Sequence, residues 1–363
     1  MSFTEEWVDE RPISHKKLVD EFYDFEYKSE DKQQSIAPIV RALDIIKVII
    51  ESLAGKDKSA KVLKYTLDVI NLFVQRTREN IVRWDPQVLT YYKKVLKDLK
   101  WWMMLRHPIT IAKIWVVAMS RNFEIKASYL SQQLSTYRYI LRFGSSPFQV
   151  LNIWKKLAQT YKEGLTASCI HKLWFNEDSI REVINLHNTV CDELVLLYKL
   201  KVWDHKDFYN WLEKQEAISW EADILFSLKN KLIELQEMKQ KRYEMLIDLR
   251  ARRQALELSK SLHRSRENMS PIHNQLLHEF DNSDDWRRTE LEISSQLEEY
   301  RHGISMIYLD IMRLSCDLIA NTTDVLNMRV PRGTYAVFSL GSGLSGLMKL
   351  WHTTRMDLEM KNK

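Results

Sequence analysis

The segment Leu225–Ser261 has the sequence LFSLKNKLIELQEMKQKRYEMLIDLRARRQALELSKS, and it decides the fold class. It contains neither glycine nor proline. Leucines recur in it at seven-residue spacing: Leu228, Leu235, Leu249 and Leu256. Arg242 occupies the one position of this series that is not leucine. This pattern predicts one long helix. It leaves two arrangements open, a coiled coil or a long helix packed against the body of the protein.

The composition of the whole chain extends this prediction. Glycine and proline together number 15 of 363 residues. Strand-rich folds need a turn about every 8–12 residues, and these two residue types usually supply it. We therefore predict an all-α protein, an elongated bundle of long amphipathic helices. It would include the coiled-coil candidate and a short apolar C-terminal hairpin.

The segment Pro147–Gly164, PFQVLNIWKKLAQTYKEG, predicts a short amphipathic helix. Its apolar stripe consists of Phe148, Leu151, Trp154, Ala158 and Tyr161, and Leu157 lies beside the stripe. The flanking basic residues are Lys155, Lys156 and Lys162. Aromatic and leucine side chains on one face with lysine on the other are typical of a helix in a membrane interface. We predict membrane contact for these nine residues, although a helix packed on the protein's own core fits the pattern as well.

Charge is distributed unevenly along the chain. Residues 1–31 carry ten acidic and four basic side chains, whereas residues 91–162 carry thirteen basic and two acidic ones. The basic stretch also holds thirteen of the 39 aromatic residues. Such a surface favours an anionic partner with apolar character, either a lipid headgroup layer or a nucleic acid. No nucleic-acid recognition motif is present, so we expect an anionic phospholipid membrane and no nucleic acid.

We divide the chain into four parts on these patterns. They are an acidic, loosely ordered tail (1–37), a helical membrane-associated body (38–258), a polar linker (259–289) and a C-terminal apolar helical region (290–363). Gly55 is expected to end the first helix in a left-handed conformation. Ser270 precedes a proline in the linker, and the sequence does not decide whether it is phosphorylated.

The C-terminal region has an uncharged run, Gly333–Met348. As a helix it would be about 24 Å long, shorter than the ~30 Å hydrocarbon core of a bilayer. The sequence leaves open whether residues 333–351 span a bilayer, dip into it or close a helical core. The run contains a GxGxxG motif without the βαβ context of a dinucleotide site. Its small residues at four-residue spacing instead favour close helix approach.

Motifs for catalysis and metal binding are missing from the sequence. It has no GxSxG, P-loop or HExxH motif, and its ten histidines show no metal-ligand spacing. The three cysteines are widely spaced and form no CxxC motif, which indicates reduced thiols and no disulfide framework. We therefore expect no enzymatic activity, no cofactor and no metal.

Six blocks of sequence follow one another from about residue 40 to 355. They are Gly55–Asp68 (GKDKSAKVLKYTLD), Leu105–Thr110 (LRHPIT), Ser131–Phe148 (SQQLSTYRYILRFGSSPF), Asp192–Lys201 (DELVLLYKLK), Tyr308–Asn327 (YLDIMRLSCDLIANTTDVLN) and Pro331–Trp351 (PRGTYAVFSLGSGLSGLMKLW). In this order they resemble the peroxin-eleven family of peroxisomal membrane elongation factors. The resemblance is strongest to its fungal peroxin twenty-five branch.

This resemblance implies a non-enzymatic protein at the cytosolic face of the peroxisomal membrane, either peripheral or monotopic. Family members bend and elongate that membrane, self-associate, and control peroxisome number and size before fission. Expected partners are further copies, other family members and the fission machinery. The family's remodelling helix follows a block that here is Arg138–Phe143, which places it at Pro147–Glu163. The alternative is a helical scaffold that recruits partners through Leu225–Ser261 without bending the membrane.

Overall fold

A computed structural model describes residues 41–84, 108–164, 166–264 and 283–361, which form α-helices with no strand among them. The helices are α1 (Ala42–Glu51), α2 (Leu53–Trp84), α3 (Pro108–Arg142), α4 (Ser146–Lys162), α5 (Ala167–Trp174), α6 (Glu177–Lys199), α7 (Lys206–Arg264), α8 (Ser283–Val325) and α9 (Thr334–Lys361). The predicted all-α fold is confirmed. The acidic tail and the middle of the predicted linker lie outside the described residues, so the proposed part boundaries remain predictions.

The long helix α7 packs along α8 in the antiparallel direction. Residue numbers on α8 fall as those on α7 rise, in the contacting pairs Glu221 with Thr322, Met238 with Gly303, and Arg253 with Glu290. Leu249 of the heptad series is 3% exposed. Of the two arrangements that the sequence left open, the structure therefore has the helix packed against its own chain.

Helix α9 lies against α2 and α8, where small residues let the backbones approach closely. A Cβ atom added to Gly343 would lie 3.1 Å from Cγ2 of Val62 on α2. A Cβ atom added to Gly341 would lie 3.4 Å from Sγ of Cys316 on α8. Ser342 between them is fully buried. The predicted close helix approach is confirmed, and the GxGxxG motif lies in the interior of a helix.

The chain divides into two compact units. The larger is Ile49–Trp351. One cluster of buried side chains in this unit consists of Cys191, Val195 and Leu212, and the aromatic side chains of Tyr139, Trp203 and Tyr209 pack against it. Among the described residues, the smaller unit contains 41–48 and 352–361. In its described part, Ile45 and Thr354 are buried.

The break between α1 and α2 falls at Ser52, so the prediction that Gly55 ends the first helix is wrong. Gly55 lies within α2 and has no positive φ. The Ser52 hydroxyl donates to the Ile49 carbonyl (2.9 Å) and accepts from the Gly55 N–H (3.0 Å). A Cβ atom at position 55 would lie 1.9 Å from the Ile49 carbonyl oxygen. Glycine is therefore needed at this position for a close backbone approach and not for a left-handed cap.

The sequence of residues 101–119, WWMMLRHPITIAKIWVVAM, is mostly apolar but is interrupted by charged residues and by Pro108, which predicts a buried helix pair or an interfacial segment. Residues 101–107 lie outside the described part of the chain. From Pro108 onward, one helix continues without a break to Arg142, and its C-terminal part has the helical sequence pattern SQQLSTYRYILR. Among the described helices, including α9 with its uncharged run, none is long and apolar enough to cross a bilayer.

Candidate membrane-contact helix

Helix α4 is attached at its N-terminal end by one carboxylate of α6. Gly144 (φ 89°) turns the chain after α3, and Pro147 lies in the first turn of α4, where its missing N–H costs nothing. Glu193 accepts from the N–H groups of Gly144 and Ser146, each at 3.0 Å, and from the Ser146 hydroxyl at 2.5 Å. Partial burial of Glu193 acts to raise its pKa, but these hydrogen bonds outweigh it and lower the pKa. The charged carboxylate therefore anchors the turn.

The face of α4 that lies against α5 and α6 is polar. Its hydrogen bonds join Gln149 to Thr189 (3.0 Å), Lys156 to Ser179 (2.6 Å) and Glu182 (2.8 Å), and Trp174 to Thr160 (3.0 Å). Thr160 is 4% exposed, and α4 has no other buried residue. The contact between α4 and the body of the protein is thus made mainly through hydrogen bonds.

The opposite face of α4 is apolar and exposed to solvent. The exposed fractions are 70% for Phe148, 53% for Leu151, 68% for Trp154, 49% for Leu157 and 77% for Tyr161. A surface helix of a globular protein normally directs its apolar stripe toward the core and its polar face toward water. Helix α4 has the reverse orientation. A contiguous exposed apolar patch of this kind marks an interaction surface.

The remaining predicted membrane-contact residues fall on both faces. Ala158, Lys155 and Lys162 are exposed. Lys156 lies on the inner face, where its ammonium group binds Ser179 and Glu182. Its side chain is 20% exposed. The structure therefore brings eight of the nine predicted residues onto the accessible surface and directs Lys156 into the protein.

Two groups of residues were missed by the sequence pattern. Val150 of α4 is 48% exposed, and its position four residues before Trp154 is a periodic signal that would have found it. Three α6 side chains bind the inner face and the N-terminal turn of α4: Ser179, Glu182 and Glu193. They lie 23 to 49 residues from the groups they bind. No local pattern identifies such distant partners.

Other helices of the larger unit also expose apolar side chains. Trp115 and Met119, one turn apart on α3, are 63% and 54% exposed. On α9, Val337 and Met348 are 55% and 52% exposed. In the part of the chain that the structure describes, no group of three or more metal-ligating side chains comes together.

Comparisons with known proteins support a family assignment. Residues 115–351 match the family model described as Peroxisomal biogenesis factor 11 (PEX11). The chain is 44% identical over 336 residues to the Peroxisomal membrane protein PEX25 of Saccharomyces cerevisiae, a match that covers 91% of this chain and 84% of that protein. No solved structure matches the chain. The region matched by the family model contains the whole of α4.

Proposed function

This chain belongs to the PEX11 family of peroxisomal biogenesis factors, and we propose that it binds and curves the peroxisomal membrane through the outer face of α4. Family membership makes the protein a peroxisome biogenesis and proliferation factor. Its relative's name, a peroxisomal membrane protein, supports a location at that membrane, and we infer the cytosolic face. The proposed role is membrane shaping and involves no catalytic step.

The reversed orientation of α4 is the observation that carries this proposal. Several of its polar side chains form hydrogen bonds to α5 and α6, and five of its large apolar side chains are about half or more exposed within the described structure. Exposing several large apolar groups to water is unfavourable. Insertion into the boundary between headgroups and acyl chains removes that exposure, while α4 stays attached to the body.

The energy available from insertion is of a useful size. Full burial of a large apolar side chain stabilises by about 1.5–3 kcal/mol. Leu151 and Trp154 are 53% and 68% exposed, so each still has roughly 1–2 kcal/mol to gain. The exposed Lys155 and Lys162 would each add about 1 kcal/mol on an anionic leaflet. Several kcal/mol from one helix is enough for reversible attachment.

Curvature would follow from the shallow depth of insertion. Side chains that enter only one leaflet displace its headgroups and expand that leaflet relative to the other. Self-association, or association with other family members, would then place many such wedges side by side. We propose that these contacts multiply the local strain and elongate the organelle before fission.

The test uses the full-length chain and vesicles of phosphatidylcholine with phosphatidylserine. The double variant Leu151→Glu with Trp154→Glu removes about 2 kcal/mol or more of apolar transfer energy and adds two negative charges. At about 1.4 kcal/mol per factor of ten, vesicle binding in a sedimentation assay should fall at least about 30-fold. Tubules that the unmodified protein draws from the vesicles, seen by electron microscopy, should disappear.

The matched control is the double variant Leu232→Glu with Ile247→Glu on α7, where the side chains are 50% and 66% exposed. It makes the same chemical change on a different helix and should bind vesicles as the unmodified protein does. Unchanged vesicle binding by the α4 variant, or an equal loss by the α7 variant, would remove α4 from the mechanism.

The scaffold alternative makes a different prediction for the same control variant. The heptad face of α7 lies against α8, so recruitment would use the residues of α7 that remain exposed, such as Leu232 and Ile247. A scaffold requires that the α7 variant lose peroxisome proliferation in cells while it keeps vesicle binding. Membrane bending through α4 requires that proliferation be lost in the α4 variant instead.

A further inference from the structure

The larger unit contains a polar cavity that the proposed membrane role does not use. Its volume is about 930 Å³, and side chains from α2, α3, α6, α7, α8 and α9 line it. This volume is in the range of small-molecule sites, about 300–1,000 Å³. The described lining carries seven basic and six acidic side chains, whereas ligand sites for apolar molecules are lined mostly by hydrophobic groups. The cavity is therefore suited to a charged ligand.

Most of the acidic side chains at the α3–α6 end of the cavity are already neutralised. Arg138 binds Asp57 at 2.9 Å, and Arg142 binds Asp192 at 3.0 Å. Glu216 accepts from the Tyr139 hydroxyl at 2.8 Å. Burial, together with the charge of Asp192, raises the pKa of Glu216 to about 8, so this carboxyl keeps its proton at neutral pH. This end of the cavity is balanced without a ligand.

The part of the cavity lining where α2, α8 and α9 meet has an excess of cations. Lys58 of α2 and Arg313 of α8 meet over Gly346 of α9, where an added Cβ would lie 3.3 Å from Cδ of Arg313 and 3.9 Å from Cδ of Lys58. Lys58 has no hydrogen bond or ion pair with any described residue. The Arg313 Nε–H is buried and has no acceptor in the described structure. Burial and the neighbouring charges of Arg313 and Lys349 lower the pKa of Lys58.

The nearby carboxylates are shared among several cations. Asp310, whose side chain is 6% exposed, lies 2.5 Å from Lys349 and 3.8 Å from both Lys231 and Arg313. Asp317 binds Lys61 at 2.8 Å, and Glu234 binds Lys231 at 2.5 Å. Three cations line this part of the cavity, and we call them the cation cluster: Lys58, Lys61 and Arg313. Within the cluster, Lys61 is paired with Asp317, whereas Asp310, which lies 3.8 Å from Arg313, is bound more closely by Lys349. The cluster therefore has an excess of two positive charges.

We propose that the cation cluster binds a phosphomonoester at this end of the cavity. Such a group carries between one and two negative charges near neutral pH and presents three strong acceptor oxygens. Those charges match the excess of two, and the free donors of Lys58 and Arg313 match the oxygens. Arginine is well suited to phosphate because its planar donors form charge-assisted pairs. The phosphate is supplied either by a phosphorylated lipid headgroup or by a soluble phosphorylated metabolite.

The test measures binding of defined probes to the full-length chain by isothermal titration calorimetry. The soluble probes are inositol trisphosphate and ribose phosphate, and the membrane probes are vesicles with phosphatidylinositol phosphate or with phosphatidylserine at equal surface charge. Lys58→Gln with Arg313→Gln should weaken saturable binding at least about tenfold, because each lost charge-assisted hydrogen bond costs about that much. Lys58→Arg should retain binding. The matched control is Lys172→Gln with Lys206→Gln, at exposed lysines outside the cavity.

The pattern across probes identifies the source of the phosphate. Binding of inositol trisphosphate and of phosphatidylinositol phosphate vesicles, but not of ribose phosphate, assigns a lipid headgroup. Binding of ribose phosphate, with no preference between the two vesicles, assigns a soluble metabolite. The proposal is overturned if no probe binds saturably, if the cavity variant binds as the unmodified protein does, or if the control variant loses as much.

Two further measurements show whether a loss of binding comes from unfolding of the variant or from membrane contact through α4. They are the melting temperature and the binding of soluble probes by the α4 variant. Removing two cations from a cluster with excess positive charge should leave the melting temperature unchanged or raise it. A bound probe should raise the melting temperature of the unmodified protein but not of the cavity variant. Leu151→Glu with Trp154→Glu should bind the soluble probes normally, so a failure of the α4 proposal can be told apart from a failure of this one.

Discussion

The ion pair between Lys61 and Asp317 is the contact whose loss we expect to release α9 from the rest of the larger unit. Lys61 Nζ lies 2.8 Å from Asp317 Oδ1 on α8 and 2.8 Å from the Ser342 hydroxyl on α9. The two charged side chains are only 15% and 11% exposed. Replacing Asp317 by Asn leaves a buried ammonium group without its counter-ion, and replacing Lys61 by Met leaves a buried carboxylate in the same position.

The expected size of the effect follows from this burial. Removing one partner of a buried ion pair costs about 3–5 kcal/mol, which would increase the equilibrium constant for local opening by about two to three and a half orders of magnitude. Arg252 and Asp248 on α7 form a pair of similar geometry, 3.0 Å, but their side chains are 47% and 52% exposed. An exposed pair is worth at most about 1 kcal/mol. Asp248→Asn is therefore the matched control, with an expected change of about fivefold or less.

The assay is the rate of alkylation of Cys316 by iodoacetamide, quantified at that residue by mass spectrometry. Cys316 is half-buried, and its sulfur lies under α9 beside Gly341, so the reagent gains further access when α9 opens. Burial and the charge of Asp317 raise the pKa of this thiol, and Lys61 lowers it. Asp317→Asn would therefore increase thiol reactivity even without opening, whereas Lys61→Met would decrease it. Because the two variants shift the thiol pKa in opposite directions, an acceleration well beyond fivefold in both of them indicates opening.

The alkylation rate of Lys61→Met is the measurement that decides whether the buried ion pair holds α9. If Lys61→Met changes the alkylation rate by less than about fivefold, the buried pair does not hold α9. The same conclusion follows if Asp248→Asn accelerates alkylation as much as the buried substitutions do. Simultaneous replacement, Lys61→Met with Asp317→Leu, should restore slow alkylation, because it leaves no unpaired buried charge.

Two further predictions concern stability. The folded-state pKa of Glu216, about 8, lies above its ordinary value of 4.5, mainly because the group is buried. The folded state therefore holds an extra proton between these values, so the free energy of unfolding should fall as pH rises from about 4.5 to 8. Glu216→Gln should remove that part of the slope in urea unfolding from pH 5 to 8.5, and an unchanged slope would contradict the assignment. Gly343→Leu should push α9 away from Val62 and lower the free energy of unfolding by about 1–3 kcal/mol. Val337→Leu, at an exposed position of the same helix, is the control and should leave it unchanged. Equal midpoints of the two variants in urea unfolding would argue against close packing at Gly343.

Much of the architecture could be predicted because helical patterns are local. The heptad leucines of α7, the apolar stripe of α4 and the small residues of α9 each depend on neighbours within one or two helical turns. Gly55 shows where this reasoning fails. A glycine in sequence is compatible with a left-handed cap or with close backbone approach, and only the position of the Ile49 carbonyl distinguishes the two.

The cavity and its charges could not be predicted in the same way. Lys61 and Asp317 are 256 residues apart, and Lys61 and Ser342 are 281 apart. A charged residue on a helix has the same sequence signature whether it faces water or an interior cavity. For the same reason, the sequence pattern predicted Lys156 at the membrane surface. Its partners Ser179 and Glu182 belong to another helix, so the pattern of α4 alone does not show them.

By itself, the sequence determined that the chain is helical, where most of the helices lie and which residues share a face of each helix, because these properties depend on interactions within a few residues. Only the tertiary structure decided which face of α4 is turned outward and which cations are brought together beneath α9. The physical reason is that an amphipathic helix has two faces, and its orientation depends on what the neighbouring helices offer. Here α5 and α6 offer hydrogen-bonding partners to the polar face, so the apolar face is left exposed.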